Sequence, residues 1–332
     1  MNSFGRIFRV HIFGESHGES VGIVIDGCPA GLPLSEEDLL PDLERRKGGK
    51  QKGTTPRQEA DYPFFKSGLF NGKTTGAPIT IIFDNKNVRS SDYEKQRSIP
   101  RPGHADWVAH QKYGGNEDYR GGGHFSARLT TGLVAAGAIA KKIMGEGVSI
   151  ISAVTEIGGE SDLEKGLQKA IDAKDSVGGI VECRVNGLPV GLGEPFFDSV
   201  ESHIAHIAFA IPAVKGVEFG SGFAAARMFG SQHNDAIENM EGKTRTNHAG
   251  GIVGGISNGN ELVFRISIKP TASTPKEQNS LNWDSGQVEN FSIKGRHDLC
   301  VALRAPVILE AATAVALVDL FLLEQHSKRV IN

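Results

Sequence analysis

The 332-residue chain has 36 Lys and Arg residues against 39 Asp and Glu residues, a formal net charge of −3. A chain this close to neutral lacks the overall positive field of a nucleic-acid-binding protein, and its 39% hydrophobic content excludes disorder as the main state. Glycine is over-represented at 42 residues, about 13% against roughly 7% on average, which indicates tight turns and backbone that passes close to other groups.

In chain order, the first predicted strand is the β-branched segment 20–26. Ser35 is predicted to cap a helix that begins with acidic residues and runs to about Lys47. A strand follows at 78–84, and the polar, glycine-rich stretch 86–126 is expected to be mostly irregular. Further helices are predicted at 127–144, 161–173, 201–211 and 305–326, and further strands at 178–186 and 261–268.

A short pattern occurs twice in the sequence. GIV followed by GCPAGL at 22–32 is similar to GIV followed by GLPVGL at 179–192. The pattern indicates either one strand-turn unit used twice or a chance similarity. No Pro- or Ser-rich linker separates the two copies, so we expect one integrated domain over 1–332, with two related halves at about 1–150 and 151–332 as the possibility that the repeat raises.

Cysteine usage and the apolar segments predict a soluble, cytoplasmic protein. Cys28, Cys183 and Cys300 are far apart and form no CxxC pair, so neither a disulfide scaffold nor a cysteine zinc site is expected. The N-terminal segment has no continuous apolar stretch typical of a signal peptide. The most apolar segments, near 132–140 and 305–323, are predicted to be buried helices because the first is too short for a membrane and the second carries two acidic residues.

Three glycine motifs lack the context that their usual functions require. Residues 14–18 match the G-x-S-x-G elbow of serine hydrolases, but a strand-like segment follows where that elbow needs a helix. Residues 72–74 resemble the end of a P-loop without its first glycine. Residues 220–225 fit a dinucleotide motif, but a polar, loop-like stretch follows where a helix and a further strand are needed.

Four segments are dense in side chains that bind anions or move protons. They are the pair Ser16-His17; the basic run Arg45, Arg46, Lys47, Lys50, Lys52 and Arg57 with 101–106; the segment 120–128; and Lys269–Ser273 with 295–298.

The segment 120–128 places three glycines ahead of an apolar helix. Exposed backbone N–H groups and the positive end of a helix suit a phosphate or the polar edge of a flavin. The alternative is a flexible turn capped by Ser126.

Each of the other segments also has a simpler interpretation. A basic run by itself is usually a solvated face, and a single histidine is usually structural. His17 and His104 differ because both lie in short glycine-containing stretches between predicted elements, where ligands tend to bind. His203 and His206 lie three residues apart on a predicted helix, but no third metal ligand is evident, so no metal site is predicted.

Taken together, these segments resemble the chorismate synthase family. The similarity covers essentially the whole chain in family order, through GESHG, DLERRKGG, TTGAPI, RPGHAD, RGGG..SAR, GVEFGSGF, GSQHND, TNHAGGIVGGISNG, KPTAS and GRHD. Each glycine motif is weakly specific, whereas the joint match is highly specific.

The resemblance implies an α+β fold in which helices pack between two antiparallel sheets with long glycine-rich active-site loops. It also implies a homotetramer. The implied reaction is 1,4-anti elimination of phosphate from 5-enolpyruvylshikimate 3-phosphate to give chorismate. Reduced FMN is required although there is no net oxidation.

The resemblance also assigns roles to residues. His17 would protonate the departing phosphate, His104 would protonate or stabilise the reduced flavin, and Asp298 would act with the flavin to remove the C6 proton. Ser16 and Ser126 are possible proton relays. Substrate or NADP contacts carry over to Arg46, Lys52, Arg101 and Arg128. FMN contacts carry over to His124, Phe125, Ser126, Ala213, Gly254, Lys269, Pro270, Thr271, Ala272, Ser273 and Arg296.

The chain departs from the family pattern at three places. Many members have RSSARET where this chain has HFSARLT at 124–130, so an arginine and a serine that would contact the flavin phosphate are replaced. Pro212 stands where an asparagine is usual, and Leu299 stands where a proline is usual. We interpret these differences as variation within the family because the two histidines and the aspartate assigned to the chemistry are retained.

Two other functions fit the same motifs. One is a flavin-dependent oxidoreductase that uses the site for hydride transfer, and the other is a non-catalytic protein that binds a phosphate-containing ligand. NADPH is a possible reductant of the flavin, but no added reductase domain is visible in the sequence, so an outside source of electrons is expected.

Overall fold

The computed structural model describes residues 2–49, 52–55, 59–87, 97–293 and 297–326. The strands in these ranges are β1 (Ser3–Phe4), β2 (Arg9–Gly14), β3 (Ser20–Asp26), β4 (Phe64–Ser67), β5 (Leu69–Phe70), β6 (Lys73–Thr74), β7 (Ile79–Asp84), β8 (Ser149–Ile157), β9 (Gly179–Asn186), β10 (Val214–Phe219), β11 (Ile252–Val253), β12 (Ile256–Ser257), β13 (Leu262–Ile268), β14 (Gln278–Asn282) and β15 (Gln287–Phe291). The α-helices are α1 (Leu40–Arg46), α2 (Asp106–Tyr113), α3 (Thr130–Met144), α4 (Leu163–Ala173), α5 (Val200–Ala208), α6 (Gly230–His233) and α7 (Ala305–His326).

Two antiparallel sheets and two apolar helices form the core. The first sheet has the order β1-β2-β3-β7-β4 and the second has the order β10-β13-β9-β8. Helix α3 packs on the first sheet, α7 packs on the second, and the two helices pack against each other. A side chain at Gly137 of α3 would overlap Ala311 of α7, so glycine is required where the helices cross. The protein therefore has an α+β fold.

Most predicted elements are confirmed. The strands at 20–26, 78–84, 178–186 and 261–268 correspond to β3, β7, β9 and β13, and the long C-terminal helix is α7. The helix predicted from Ser35 instead divides into a 3₁₀ turn and α1, because Pro41 in the first turn of α1 has no N–H to donate to a preceding carbonyl.

The expectation for 86–126 was wrong in part. This stretch contains α2 and the 3₁₀ segment Arg120–Phe125. Helix α2 has no apolar face, since Ala109 is its one buried residue, so the hydrophobic periodicity that reveals amphipathic helices is absent from its sequence.

The repeated sequence pattern forms the same local structure at both positions. The hydroxyl of Thr74 donates to the carbonyl of Pro29 at 2.6 Å. The hydroxyl of Ser257 donates to the carbonyl of Pro189 at 2.7 Å, and Pro29 and Pro189 are equivalent in the repeat. The strands that precede the two turns, β3 and β9, each lie inside a sheet with a neighbour on both sides.

Helix α7 is the most buried element of the core. By length and composition the segment Val301–His326 could cross a membrane, but most of it is buried among the other elements, as the sequence predicted for a core helix. The three cysteines are free and buried, again as predicted. Burial raises the pKa of the Cys28 thiol to about 11 and that of Cys183 to about 12, so neither thiol is reactive near neutral pH.

A fully buried carboxylate on α7 anchors the N-terminal segment. Asp319 accepts hydrogen bonds from the backbone N–H groups of residues 6–8 at 2.7–3.0 Å and pairs with Nε2 of His203 at 3.1 Å. Burial by itself would raise the pKa of this carboxyl, but the hydrogen bonds from His203 and from the backbone outweigh burial and lower the pKa below its usual value.

We predict that Asp319→Asn lowers the free energy of unfolding by about 2–3 kcal/mol, because an amide NH₂ would replace an acceptor of buried donors. Since the folded-state pKa of Asp319 is lowered, its contribution is complete above about pH 4 and is lost as the pH falls through the folded-state pKa. Urea unfolding at fixed protein concentration, at pH 7 and at acidic pH, measures this difference. The control is Glu324→Gln on the exposed end of the same helix, which should change the free energy by less than about 0.5 kcal/mol.

Candidate active site

A cavity of about 1030 Å³ brings together most of the site residues predicted from the sequence. Those that line it are His17, Arg46, Arg101, His104, His124, Phe125, Ser126, Arg128, Ala213, Lys269, Pro270, Thr271, Ala272, Ser273 and Asp298. These residues come from loops that are distant in sequence and that the two sheets and their helices hold side by side.

The glycine segment 121–123 packs directly against His17. All three glycines have positive φ, and a side chain at Gly121 would overlap the His17 imidazole. The backbone N–H of Ser16 donates to the carbonyl of Gly123 at 3.1 Å, which ties the two loops together. Ser16 itself is fully buried, with its hydroxyl 3.2 Å from His17 Nδ1. The motif at 14–18 therefore joins two antiparallel strands, β2 and β3, and is no hydrolase elbow.

The same glycine segment also contacts His104. A side chain at Gly122 would lie 3.2–3.3 Å from Cε1 and Nε2 of His104. His104 Nδ1 lies 2.5 Å from an Asp106 carboxylate oxygen, and the Arg101 guanidinium binds both oxygens of that carboxylate at 2.7 and 2.8 Å. The two histidines therefore flank one stretch of backbone in a single cavity.

Two buried arginines share one carboxylate. Asp61 accepts a hydrogen bond from Arg46 Nη1 at 3.2 Å and a shorter one from Arg128 Nη1. Arg46 also donates to the Thr130 hydroxyl at 3.0 Å, and Arg128 donates to the Asn85 side chain at 2.9 Å. Burial lowers the pKa of Arg46 to about 9 against the opposing effect of Asp61, so the group remains charged at neutral pH.

Asp298 lines the cavity and is held there by two hydrogen bonds. One of its oxygens accepts the backbone N–H of Thr55 at 2.8 Å, and the other accepts Nη1 of Arg304 at 3.1 Å. Arg304 also donates to the backbone carbonyl of Arg46 at 3.1 Å, which links this carboxylate to the arginine pair.

Several residues assigned to the flavin already have protein partners. His124 is within hydrogen-bond distance of the Gly14 carbonyl at 2.8 Å and of the Asn2 side chain at 3.1 Å. The Ser126 hydroxyl accepts the Arg128 backbone N–H at 3.3 Å, so this residue caps a helical turn as the simpler interpretation expected.

The loop that begins at Lys269 contributes small and polar groups to the cavity wall. The hydroxyl of Thr271 is buried without a hydrogen-bond partner among the described residues. Lys269 donates to the carbonyl of Gly103, and its pKa is lowered by partial burial and by the nearby charge of Lys215.

Three of the described site residues do not line this cavity: Ser16, which is fully buried, Lys52 and Gly254. Lys52 is exposed, and its Nζ donates to the Gln168 side chain of α4 at 3.1 Å, which holds it away from the cavity. Gly254 lies in the tight turn between β11 and β12, outside the residues that line the cavity. Arg296 lies outside the described residues.

The side chains that pair with the buried arginines and with Asp298 could not be predicted from the sequence. Asp61 follows an unremarkable polar stretch, and no spacing relates it to Arg46 or Arg128. Arg304 directly precedes the apolar helix α7, and nothing in its sequence context relates it to Asp298. Asp106 lies in the RPGHAD motif, five residues after Arg101. The nearby arginine was the available signal for an ion pair.

The arrangement suits proton transfer on a ligand with several negative charges. Cationic side chains outnumber carboxylates around the cavity, and each carboxylate named above is already bound to an arginine. In the described ranges no group of three or more His, Cys, Asp or Glu side chains has a metal-binding arrangement. The cavity therefore suits an enzyme that acts on a small molecule with negative charges, and it offers imidazole and carboxylate groups for proton transfer.

The comparisons identify the family. A family model described as chorismate synthase matches residues 8–322. The chain is 71% identical over 332 residues to a chorismate synthase of Chitinophaga pinensis, with 100% of both chains covered. It is 45% identical over 361 residues to a chorismate synthase of Dehalococcoides mccartyi, covering 100% of this chain and 99% of that one. A crystal structure of chorismate synthase aligns with a TM-score of 0.72 and 28% identity, covering 96% of this chain and 93% of that chain.

The chain belongs to the chorismate synthase family. It is a lyase of aromatic amino acid biosynthesis that acts on a small-molecule substrate, as the sequence motifs predicted.

We predict that Gly121→Ala lowers kcat for chorismate formation at least tenfold, because the added methyl group would displace the His17 imidazole. Gly114→Ala is the matched control. Gly114 has nearly the same positive φ, 61° against 60° for Gly121, but an added methyl group would meet only the Asn116 side chain at 3.8 Å. Both variants share the backbone strain, so equal activities would show that the contact with His17 is unimportant.

Proposed function

We propose that the cavity binds 5-enolpyruvylshikimate 3-phosphate against reduced FMN and eliminates phosphate to form chorismate. The observation that carries this proposal is the placement of His17 and His104 on either side of the glycine segment 121–123 in one cationic cavity. This elimination needs a proton donor for the leaving group and a separate group at the flavin, and two histidines held apart by bare backbone supply both. The packing of α3 on one sheet, of α7 on the other and of the two helices on each other supports a sandwich of helices between two sheets.

The charges of the cavity suit this substrate. The substrate carries two carboxylates and one phosphate, and Arg46, Arg101 and Arg128 line the cavity with their guanidinium groups already oriented by carboxylates. Arginine matches carboxylate and phosphate oxygens through paired hydrogen bonds. We therefore assign substrate binding to these three arginines and add Arg304, which lines the same wall.

Another part of the cavity lining fits a flavin. The buried Thr271 hydroxyl without a partner, the half-exposed Phe125 ring and the small side chains of Ala213 and Ala272 leave a surface for a flat polar ring. The Lys269 ammonium group would pair with the negative charge of the flavin. When bound, reduced FMN supplies the electron density that no amino-acid side chain can provide.

We assign each proton transfer to a different side chain. His17, beside the buried Ser16 hydroxyl, is placed to protonate the leaving phosphate. Burial opposes ionisation of Asp118, but the hydrogen bonds from Arg120 and the nearby charge of His17 lower the pKa of its carboxyl below the usual value, so this group is an anion near His17. Asp298, fixed by Thr55 and Arg304, is assigned the C6 proton. Ser126 is assigned a relay role.

The direct test is an anaerobic incubation of the purified protein with the enolpyruvyl substrate and reduced FMN. Chorismate formed without net flavin oxidation supports the lyase mechanism. Flavin oxidation in proportion to a reduced product would indicate an oxidoreductase instead. Tight binding without turnover would indicate a ligand-binding protein.

We predict that His17→Ala and His104→Ala each lower kcat at least tenfold, because general acid catalysis contributes about 10²–10⁴ in rate. The fold should persist, since neither imidazole belongs to the apolar core. His11→Ala is the control, because this exposed histidine is hydrogen-bonded to Ser3 and is absent from the cavity wall. Near-normal turnover in either test variant would remove that residue from the mechanism.

We expect the flavin to be reduced by an outside source, with NADPH alone giving little chorismate. Hydride transfer needs the nicotinamide ring over flavin N5, and the proposed arrangement places the substrate ring there. An anaerobic assay with NADPH as sole reductant, compared with chemically reduced FMN, measures this directly. Equal rates in the two assays would show an intrinsic NADPH-dependent reductase.

We propose a cytoplasmic homotetramer in which Gly254 reaches the flavin of a neighbouring subunit. The protein exposes several large apolar side chains, which is typical of a surface that another chain covers. The most exposed are Phe196, Phe197, Phe223, Phe229, Ile237 and Met240. The three free cysteines agree with a reducing compartment.

Subunit mixing tests the shared site. Gly254→Asp places a carboxylate at a turn where aspartate tolerates positive φ, and it should repel the anionic cofactor of the neighbour. Tetramers reassembled from Gly254→Asp and His17→Ala chains should recover activity that neither parent has, because some sites then combine two native surfaces. Gly286→Asp is the control, since Gly286 also has positive φ and open space around it. A mixture no more active than its parents would contradict the shared site.

A further inference from the structure

The carboxylate of Asp106 is saturated with donors. One oxygen accepts Arg101 Nη2 at 2.8 Å and lies 2.5 Å from His104 Nδ1. The other oxygen accepts the Arg101 Nε–H at 2.7 Å and the Arg101 backbone N–H at 3.0 Å. Arg101 is in turn fixed by the hydroxyl of Ser273 at 3.2 Å. Asp106 therefore has a single orientation relative to the imidazole.

The position of the proton on His104 follows from these contacts. Nδ1 lies 3.0 Å from Arg101 Nη2 and 2.5 Å from the Asp106 carboxylate, and one ring nitrogen cannot accept from the first and donate to the second at once. Arg101 Nη2 already donates to the Asp106 carboxylate, so it does not need Nδ1 as an acceptor. The short contact between Nδ1 and the carboxylate would be repulsive if Nδ1 carried no proton. The contacts therefore favour a proton on Nδ1.

We propose that Asp106 is a positioning residue that holds the proton on His104 Nδ1 and so leaves Nε2, beside Gly122, as the atom that exchanges protons with the ligand. The inference deepens the proposed function and rests on it for the role of His104. The tautomer itself is a property of the free protein.

The charged groups around the pair keep Asp106 ionised. Burial opposes ionisation, but hydrogen bonds from Arg101 and His104 hold the pKa of the Asp106 carboxyl well below its usual range. The acceptor for Nδ1 therefore persists at any pH at which the enzyme works. The titratable and charged groups that face this region from neighbouring segments are Lys269, whose Nζ donates to the Gly103 carbonyl, and Arg97, His110, Glu117, Asp118 and Asp284 around a second cavity of about 450 Å³.

A second acid–histidine pair on the same segment provides a matched control. His110 Nδ1 lies 3.1 Å from Glu117, and the His110 ring stacks on Trp283 with 4.7 Å between centroids. His110 lines the second cavity and is absent from the wall of the main one. The pair therefore has similar chemistry without contact with the proposed substrate site.

The experiment measures ring ¹⁵N chemical shifts in protein labelled at histidine, with His104→Gln used to assign the His104 signals. The native protein should show the proton on Nδ1. In Asp106→Asn the side-chain amide can donate to Nδ1, so the proton should move to Nε2, and kcat should fall at least tenfold. KM should rise as well, because Asp106 also orients Arg101, which is assigned to the substrate. Asp106→Glu restores a carboxylate and should recover the Nδ1 proton and most of kcat. Glu117→Gln should alter the His110 signals and leave the His104 signals unchanged. Its kcat should stay within twofold of the native value.

The outcomes separate the inference from the proposed function. A native His104 with its proton on Nε2, or an Asp106→Asn variant that keeps the native pattern, would overturn the positioning role. The native measurement decides this even if Asp106→Asn fails to fold. A shifted tautomer with unchanged kcat would support the positioning role and remove His104 from the mechanism.

Discussion

Buried cations must be paired with carboxylates in the absence of a ligand, and this constraint shapes the whole site. Burying an unpaired guanidinium is costly, and here Asp61, Asp106 and Asp298 each bind at least one arginine of the cavity. In the proposed function, the pairs would orient the arginines before the substrate arrives, so little order would have to be created on binding. The same pairs would limit how many N–H groups remain for the substrate, and its affinity would then depend on how far these carboxylates share their partners.

The glycine segment meets a second constraint, because it lets two imidazoles pack on either side of one stretch of backbone in the same cavity. Any side chain at Gly121 would overlap His17, and one at Gly122 would crowd His104. Bare backbone in a left-handed conformation is the narrowest spacer that a polypeptide offers. A phosphate-binding loop was one interpretation of these glycines from the sequence. Their packing in the structure shows that they also serve the two histidines.

The sequence predicted the sheet interiors, the core helices and the two glycine-bounded histidines, because β-branched runs, apolar helices and glycine-rich loops leave local signals. Most of the other predicted site residues came from the resemblance to the family. The sequence did not predict α2, which has no apolar face, or the pairing of Asp61 with arginines that are distant in sequence. Long-range pairing leaves no periodic pattern in one sequence. The placement of Lys52 against Gln168 has the same origin, since an exposed lysine takes whichever partner the fold brings near.

The bond between Asp319 and the backbone of residues 6–8 makes the beginning of the fold depend on its closing helix. During synthesis the first strands leave the ribosome long before α7, so residues 6–8 lack their carboxylate acceptor until that helix has been made. Until then a strand edge beside this segment is open to pairing with other chains. Attachment of residues 6–8 to the core is therefore possible only after α7 has been synthesised.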